Sequence, residues 1–165
     1  FTRLLTTEQY GQYTIYSSWS GILTIFLTLN LAYGSFQTAM AKFEGRRDEY
    51  ITSIQGICVV LCCVFLAVYL PPRNVWNRLF ELPTPFVLLM VAEIIFSTAT
   101  QLWMEKNRFE FKYKSVVVVT LLTSILSPVI AFILVSLVSE KGYARIFGYA
   151  IVNILIGFIL FIYKM

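Results

Sequence analysis

The sequence contains no histidine, and charged residues make up only 13% of its 165 positions. The lack of histidine excludes metal sites of the histidine type and histidine proton relays. A soluble domain carries about 25% charged residues, and one of this size buries only about 70% of the surface that its unfolded chain exposes. The low charge, together with an apolar share of 58%, therefore excludes a soluble globular domain and a disordered chain. It predicts an integral membrane protein.

Cysteine is also scarce, and the three cysteines, Cys58, Cys62 and Cys63, lie in one apolar run. Their spacing is not that of a zinc site, and we expect them to pack as small apolar side chains. The net charge of +4 comes from short basic clusters between apolar runs, which is not a nucleic-acid signature. The sequence also lacks a nucleophile–base pair, a glycine-rich phosphate loop and a redox motif. We therefore expect no enzyme activity, no metal and no cofactor.

Long uncharged runs are what the sequence has in quantity. A helix that crosses a bilayer needs about 20 mostly apolar residues, and none of these runs alternates with the period of a lipid-facing barrel strand. The sequence predicts an all-α, polytopic membrane helix bundle, 1–165, with five transmembrane helices. The predicted spans are approximately 13–38, 51–70, 84–104, 115–138 and 146–163. Because the chain opens on Phe1, we expect it to be a segment of a longer protein.

The connecting loops differ in basic charge. One side carries eight basic residues: Lys42, Arg46, Arg47, Lys106, Arg108, Lys112, Lys114 and Lys164. The other side carries five: Arg3, Arg73, Arg78, Lys141 and Arg145. The excess of basic residues in cytoplasmic loops then predicts that the chain starts outside the cell and ends inside.

Glu93 is the one acidic residue near the middle of a predicted span. A carboxylate there costs roughly 2.5–3.5 kcal/mol on insertion scales, so it needs a partner, a water-filled cavity or a proton. Helical spacing puts Ser97 and Gln101 on the same stripe. Glu93 is either a proton, cation or polar-substrate site, or a protonated carboxyl group that bonds a neighbouring helix.

Other polar residues in the spans leave two interpretations open. The amides of Asn30 and Gln37 serve either helix packing or substrate contact. Arg145, at the outer edge of the last span, either reaches the lipid headgroups or lines the mouth of a cavity. Tyr13 and Tyr16 belong to an aromatic cluster at the start of the first span, which is typical of the headgroup zone.

Several stretches carry a family resemblance. The opening stretch, FTRLLTTEQYGQY, resembles the loop after the first helix of bacterial polysaccharide flippases. In that loop an Arg-Leu-Leu precedes a Ser/Thr-Pro-Glu-Glu/Gln-Tyr-Gly pattern, and Thr7 stands where the proline often is. Further similar stretches are Asn30-Leu31 with Gly34, the loop 42–50, residues 111–114 before a valine-rich span, and residues 142–148.

The resemblance implies a fold and a function. These flippases belong to the multidrug, oligosaccharidyl-lipid and polysaccharide exporter superfamily, whose members form two helix bundles around a central cavity. The chain then corresponds to the second to sixth helices and lacks the remaining ones. The implied function is translocation of lipid-linked oligosaccharide or polysaccharide precursors across the bacterial cytoplasmic membrane by alternating access. Its partners are membrane lipids, the lipid-linked oligosaccharide and the remaining helices, without nucleic acid.

The resemblance also suggests which side chains face the translocation cavity. The expected cavity residues are Glu93, Ser97, Gln101, Arg145, Asn30 and Gln37. One alternative is a cation-coupled multidrug exporter of the same superfamily, which would favour Glu93 and disfavour an arginine in the cavity. Another is a non-transporting scaffold of a polysaccharide assembly complex, in which Glu93 would face only protein.

Overall fold

The computed structural model describes residues 5–32, 36–138 and 140–164. These residues form seven helices and no strand. The helices are α1 (Thr7–Thr28), α2 (Phe36–Lys42), α3 (Arg47–Tyr69), α4 (Arg73–Phe80), α5 (Thr84–Phe109), α6 (Tyr113–Leu137) and α7 (Lys141–Lys164). The all-helical class predicted from the sequence is confirmed.

Within the described residues, four helices are long enough and apolar enough to cross a membrane: α3, α5, α6 and α7. These four helices correspond to the last four predicted spans. Helix α1 has 22 residues, which is long enough, but its composition is too polar for it to be counted with them. The structure therefore supports a membrane-spanning protein with four such helices.

The first predicted span, 13–38, is not one continuous helix. Helix α1 begins at Thr7 because Thr6 and Gln9 form a capping box, in which each side chain accepts from the other residue's backbone N–H. It ends at Thr28, since Leu29 and Asn30 adopt left-handed φ values of 48° and 52°. Residues 29–32 are not helical and α2 is a separate helix, so within the described residues this prediction is corrected to two helices. Residues 33–35, which include Gly34, lie outside the described residues.

Helix α7 lies at the centre of the packing, against α1, α5 and α6. Two of its glycines allow a close approach. A Cβ atom at Gly157 would overlap the backbone of Phe96 on α5, and one at Gly148 would overlap Ala131 on α6. Small residues at such positions let membrane helices approach closely.

A hydrogen-bonded chain joins α3, α4 and α5 at one end of the bundle. Tyr69 donates from its hydroxyl to Oδ1 of Asn77 at 2.5 Å, and Asn77 donates from Nδ2 to Oγ1 of Thr84 at 2.8 Å. Trp76 and Phe80 of α4 also pack against each other, with ring centroids 5.5 Å apart. The link holds the short helix α4 against the end of the bundle.

An ion pair and a cation–π contact join α3 and α5 at the opposite end. Lys106 of α5 pairs with Asp48 of α3, and the guanidinium of Arg47 lies 4.8 Å from the ring centroid of Phe109. Arg46 pairs with Glu49 at 2.5 Å. The hydrogen bond from Arg46 to Glu49, reinforced by the opposite charge, raises the pKa of the Arg46 guanidinium above its ordinary value. The loops 41–50 and 105–114 therefore lie at the same end, as the charge pattern requires.

Two of the three cysteines pack inside the protein as small apolar side chains, as the sequence predicts. Cys58 and Cys62 are buried, and all three cysteines are free thiols. Sγ of Cys58 lies 3.8 Å from Oγ1 of Thr98 on α5. The thiols of Cys58 and Cys62 lie on the side of α3 that packs against its neighbouring helices. Cys63 is exposed on the outer face of α3.

Candidate functional site

The carboxylate of Glu93 on α5 accepts two hydrogen bonds from two other helices. The Tyr16 hydroxyl of α1 donates to Oε2 at 2.8 Å, and Nδ2 of Asn153 on α7 donates to Oε1 at 2.9 Å. Tyr16 is buried, with 5% of its surface exposed. Each carboxylate oxygen thus accepts one hydrogen bond. The three residues tie α1, α5 and α7 together at one point.

A cavity of about 210 Å³ opens beside this carboxylate, between α1, α5 and α7. Since a water molecule occupies about 30 Å³ in the liquid, the cavity has room for several waters or a small polar group. Seven of its eight lining residues carry a hydroxyl, amide or carboxylate group. The lining residues are Tyr13, Tyr16, Ser17, Ser20, Glu93, Ile146, Tyr149 and Asn153.

Arg145 of α7 lies at the edge of the same region. Its guanidinium carbon is 3.8 Å from the ring centroid of Tyr13 and 5.2 Å from that of Tyr10. A cation over an aromatic face is attracted by the ring quadrupole. Because Tyr13 also lines the Glu93 cavity, the arginine borders the cavity through this ring. The side chain therefore packs on α1 instead of extending freely along the surface.

Two predicted residues on α5 point elsewhere. The Ser97 hydroxyl donates to the backbone carbonyl of Ile94 at 3.2 Å, within its own helix. Gln101 is partly buried, and neither residue lines the cavity beside Glu93. The stripe that the sequence predicts is present on the helix, but only Glu93 contributes to this cavity.

The two predicted amides of the first span lie away from Glu93. Asn30 is exposed just after α1, where its backbone N–H donates to Oγ1 of Thr28 at 3.3 Å. Gln37 is exposed on α2 and lines a different cleft, next to α6. Neither residue is brought together with Glu93, because α1 ends before both of them.

Tyr16 and Asn153, the two hydrogen-bond donors to Glu93, were not among the site residues predicted from the sequence. Asn153 is the one amide within an otherwise apolar stretch of α7, which is a signal for a buried polar contact. Tyr16 belongs to a run of tyrosines spaced three residues apart, Tyr10, Tyr13 and Tyr16. Such spacing places the rings along one face of a helix, but nothing in it indicates that this face turns towards the acid.

No group of three or more cysteine and acidic residues in the described part of the chain is arranged to hold a metal ion. Comparisons with protein-family models, with curated proteins and with solved structures give no match for this chain.

Proposed function

We propose that the chain forms part of one helix bundle of a transporter that translocates lipid-linked oligosaccharide or polysaccharide precursors by alternating access. The observation that carries the proposal is the polar cavity beside Glu93, lined by three helices of an otherwise apolar bundle. Ionisable groups within membrane helices are rare, and they mark substrate or ion pathways. The flippase-like stretches of the sequence supply the substrate class.

In this proposal Glu93 contributes to the polar surface of the translocation path. Its two oxygens are held by Tyr16 and Asn153, so the carboxylate has a fixed position on the cavity wall. Sugar hydroxyls are hydrogen-bond donors as well as acceptors, and a fixed carboxylate accepts from them. Ser97, Gln101, Asn30 and Gln37 are then assigned to parts of the path that further helices of such a transporter complete.

Arg145 is assigned the role of attracting the anionic part of the substrate. A guanidinium binds phosphate oxygens through paired N–H donors. Its place at the edge of the cavity, over Tyr13, sets a positive charge next to an otherwise neutral or acidic lining. A substrate that carries both sugars and a phosphate matches this combination.

The proposal includes a location and a fifth membrane span. The protein belongs to the bacterial cytoplasmic membrane, with α1 as a crossing helix, its start outside and the end of α7 inside. Helix α1 is polar for a membrane helix, and its polar face supplies Tyr13, Tyr16, Ser17 and Ser20 to the cavity. A helix that lines a polar path needs less apolar surface than one that faces lipid on all sides.

A cation-coupled multidrug exporter is the second candidate. The observation that favours it is the set of tyrosine rings around the carboxylate, since aromatic faces and an acid attract organic cations. Arg145 already covers the face of Tyr13 and repels a cation at the cavity edge, which favours the anionic substrate. A scaffold without transport is the weakest of the three, because its Glu93 would contact no cavity.

The test uses the full-length protein in cells that depend on it for polysaccharide export. We expect Glu93→Gln and Arg145→Ala each to lower export at equal expression. Arg78→Ala, an exposed arginine on α4, is the matched control and leaves export unchanged. Undiminished export in both site variants contradicts the proposal. Loss of resistance to cationic drugs with normal export assigns the chain to the multidrug exporters instead.

A further inference from the structure

A second cleft lies at the other end of the bundle, apart from the Glu93 cavity. It has a volume of about 870 Å³ and is bounded by α2, the end of α5 and the start of α6. Ligand clefts in proteins commonly measure about 300–1,000 Å³. The loops at this end are those with the excess of basic residues, which places the cleft on the cytoplasmic side.

One wall of the cleft is an apolar stripe on α6. Tyr113, Val116, Val117, Thr120 and Leu121 line it, at the spacing that puts residues on one helix face over two turns. Val117 and Leu121 are more than half exposed, at 53% and 54%. The wall continues into the membrane-facing surface of α6. Only 17% of the most apolar stretch of this helix is buried within the protein. An acyl chain fits such a wall, because the wall is continuous with the hydrocarbon core of the bilayer.

The mouth of the cleft is basic. Arg108 lines it, and its side chain is 49% exposed while Nη1 donates to Glu105 at 2.6 Å. A guanidinium carries five N–H donors, so this ion pair leaves donors for a phosphate. The segment 105–114 holds four basic residues and two acids. Lys112 and Lys114 flank Tyr113, and both are exposed. Lys112 donates from Nζ to Oε2 of Glu110 at 2.5 Å, and since an ammonium group has three N–H donors, two remain for a phosphate.

The rim of the cleft carries a residue whose backbone adopts a conformation that L-residues rarely adopt. Phe111 has a φ of 58°, and its ring is 77% exposed. The ring contacts Tyr113 edge-on, with centroids 5.9 Å apart. Two aromatic rings at the mouth, above an apolar wall, are the arrangement found at the membrane–water interface.

From the apolar wall, the basic mouth and the aromatic rim together, we infer that this cleft binds an anionic phospholipid, with an acyl chain along α6 and the phosphate at Arg108 and Lys112. Basic pockets between membrane helices on the cytoplasmic side bind anionic headgroups. The site does not depend on the oligosaccharide proposal, since it uses different residues at the other end of the bundle.

The experiment measures which lipid the full-length protein retains. The purified protein in neutral detergent is mixed with equal amounts of phosphatidylglycerol and phosphatidylcholine, and bound lipids are counted by native mass spectrometry. We expect a preference for phosphatidylglycerol of about tenfold, since basic groups near the membrane surface favour anionic lipids. Glycerol phosphate and inorganic phosphate at the same concentration do not displace the lipid, because they lack the acyl chain. Equal retention of the two lipids, or displacement by phosphate, overturns the inference.

Two variants locate the binding. The double substitution Arg108→Gln with Lys112→Gln removes the preference, whereas Arg73→Gln with Arg78→Gln, the same charge change on α4, preserves it. An equal loss in both double variants means a general charge effect and overturns the site. If the Arg108 and Lys112 variant shows no melting transition, Val117→Trp decides, because it fills the apolar wall and leaves every charge in place. Unchanged lipid retention in Val117→Trp contradicts the inference.

Discussion

Asn153 of α7 donates a hydrogen bond from Nδ2 to Oε1 of Glu93 on α5 over 2.9 Å. The two residues lie 60 positions apart in the sequence, on the two helices that also meet at Gly157. The bond therefore serves two purposes at once. It stabilises the α5–α7 contact, and it fixes the acid at the wall of the cavity.

Replacement of Asn153 by leucine should destabilise the protein. Glu93 loses one of its two hydrogen-bond donors and leaves an oxygen without a partner, so we expect a loss of about 1–3 kcal/mol in the free energy of unfolding. Denaturing titration in mixed micelles measures it. Asn74→Leu, at an exposed position of α4, should change this free energy by no more than about 0.5 kcal/mol. Equal effects of the two substitutions would contradict the role given to the bond.

Substitution of Gly157 by alanine tests the close packing of α5 and α7. The added Cβ overlaps the backbone of Phe96, and overpacking of this kind costs about 1–3 kcal/mol. Gly21→Ala and Gly56→Ala are the controls, because no atom lies within 4 Å of a Cβ at either position. We expect these two to stabilise their helices by about 0.5–1 kcal/mol. A stable Gly157→Ala protein would mean that α5 and α7 are farther apart than described.

Cysteine labelling tests the orientation of the chain. The exposed residues Glu44 and Asn74 lie at opposite ends of the bundle, one beside the basic loop and the other on α4. In intact cells a membrane-impermeant maleimide should label Asn74→Cys and leave Glu44→Cys unlabelled until the cells are opened. The unsubstituted protein provides the background from its own thiols in α3. The reverse labelling pattern would invert the topology.

Cysteine reactivity also tests whether water enters the cavity. Ser17 lines the cavity, and its neighbour Ser18 is exposed on α1 but does not line it. The reactive species is the thiolate, which forms in water and not in hydrocarbon. We therefore expect a small hydrophilic thiol reagent to modify Ser17→Cys several times faster than Ser18→Cys. Equal rates would place both residues in the same environment and remove the cavity from the account.

The four apolar helices could be predicted from the sequence, because the length and composition of the uncharged runs determine where such helices form. Helix α5 starts at Thr84, where the third predicted span begins: Pro83 is extended at the N-cap, and Pro85 lies in the first turn, where a missing backbone N–H costs nothing. It continues to Phe109, beyond the predicted end at residue 104, because its last turns carry charged side chains that pair at the membrane surface, such as Lys106 with Asp48. Charge ends an apolar run without ending a helix.

Helix α1 and the partners of Glu93 were harder to predict. The end of α1 depends on the left-handed backbone at Leu29 and Asn30, and only the asparagine is typical of that conformation. The sequence identified Glu93 as an acid within a membrane span, because its cost in a membrane is a local property. Its donors, Tyr16 and Asn153, come from helices far away in the chain, and their choice depends on how α1 and α7 pack on α5. Periodicity describes a single helix and carries no information about that packing.

The most direct measurement of the central claim is translocation of a fluorescent lipid-linked oligosaccharide by the full-length protein in proteoliposomes. The account predicts transport that is lowered at least about tenfold by Glu93→Gln, as expected when a charged hydrogen-bonding group is lost from a substrate path. Arg78→Ala should transport like the unsubstituted protein. Transport at an equal rate with Glu93→Gln, or none above empty liposomes with the unsubstituted protein, would contradict the account.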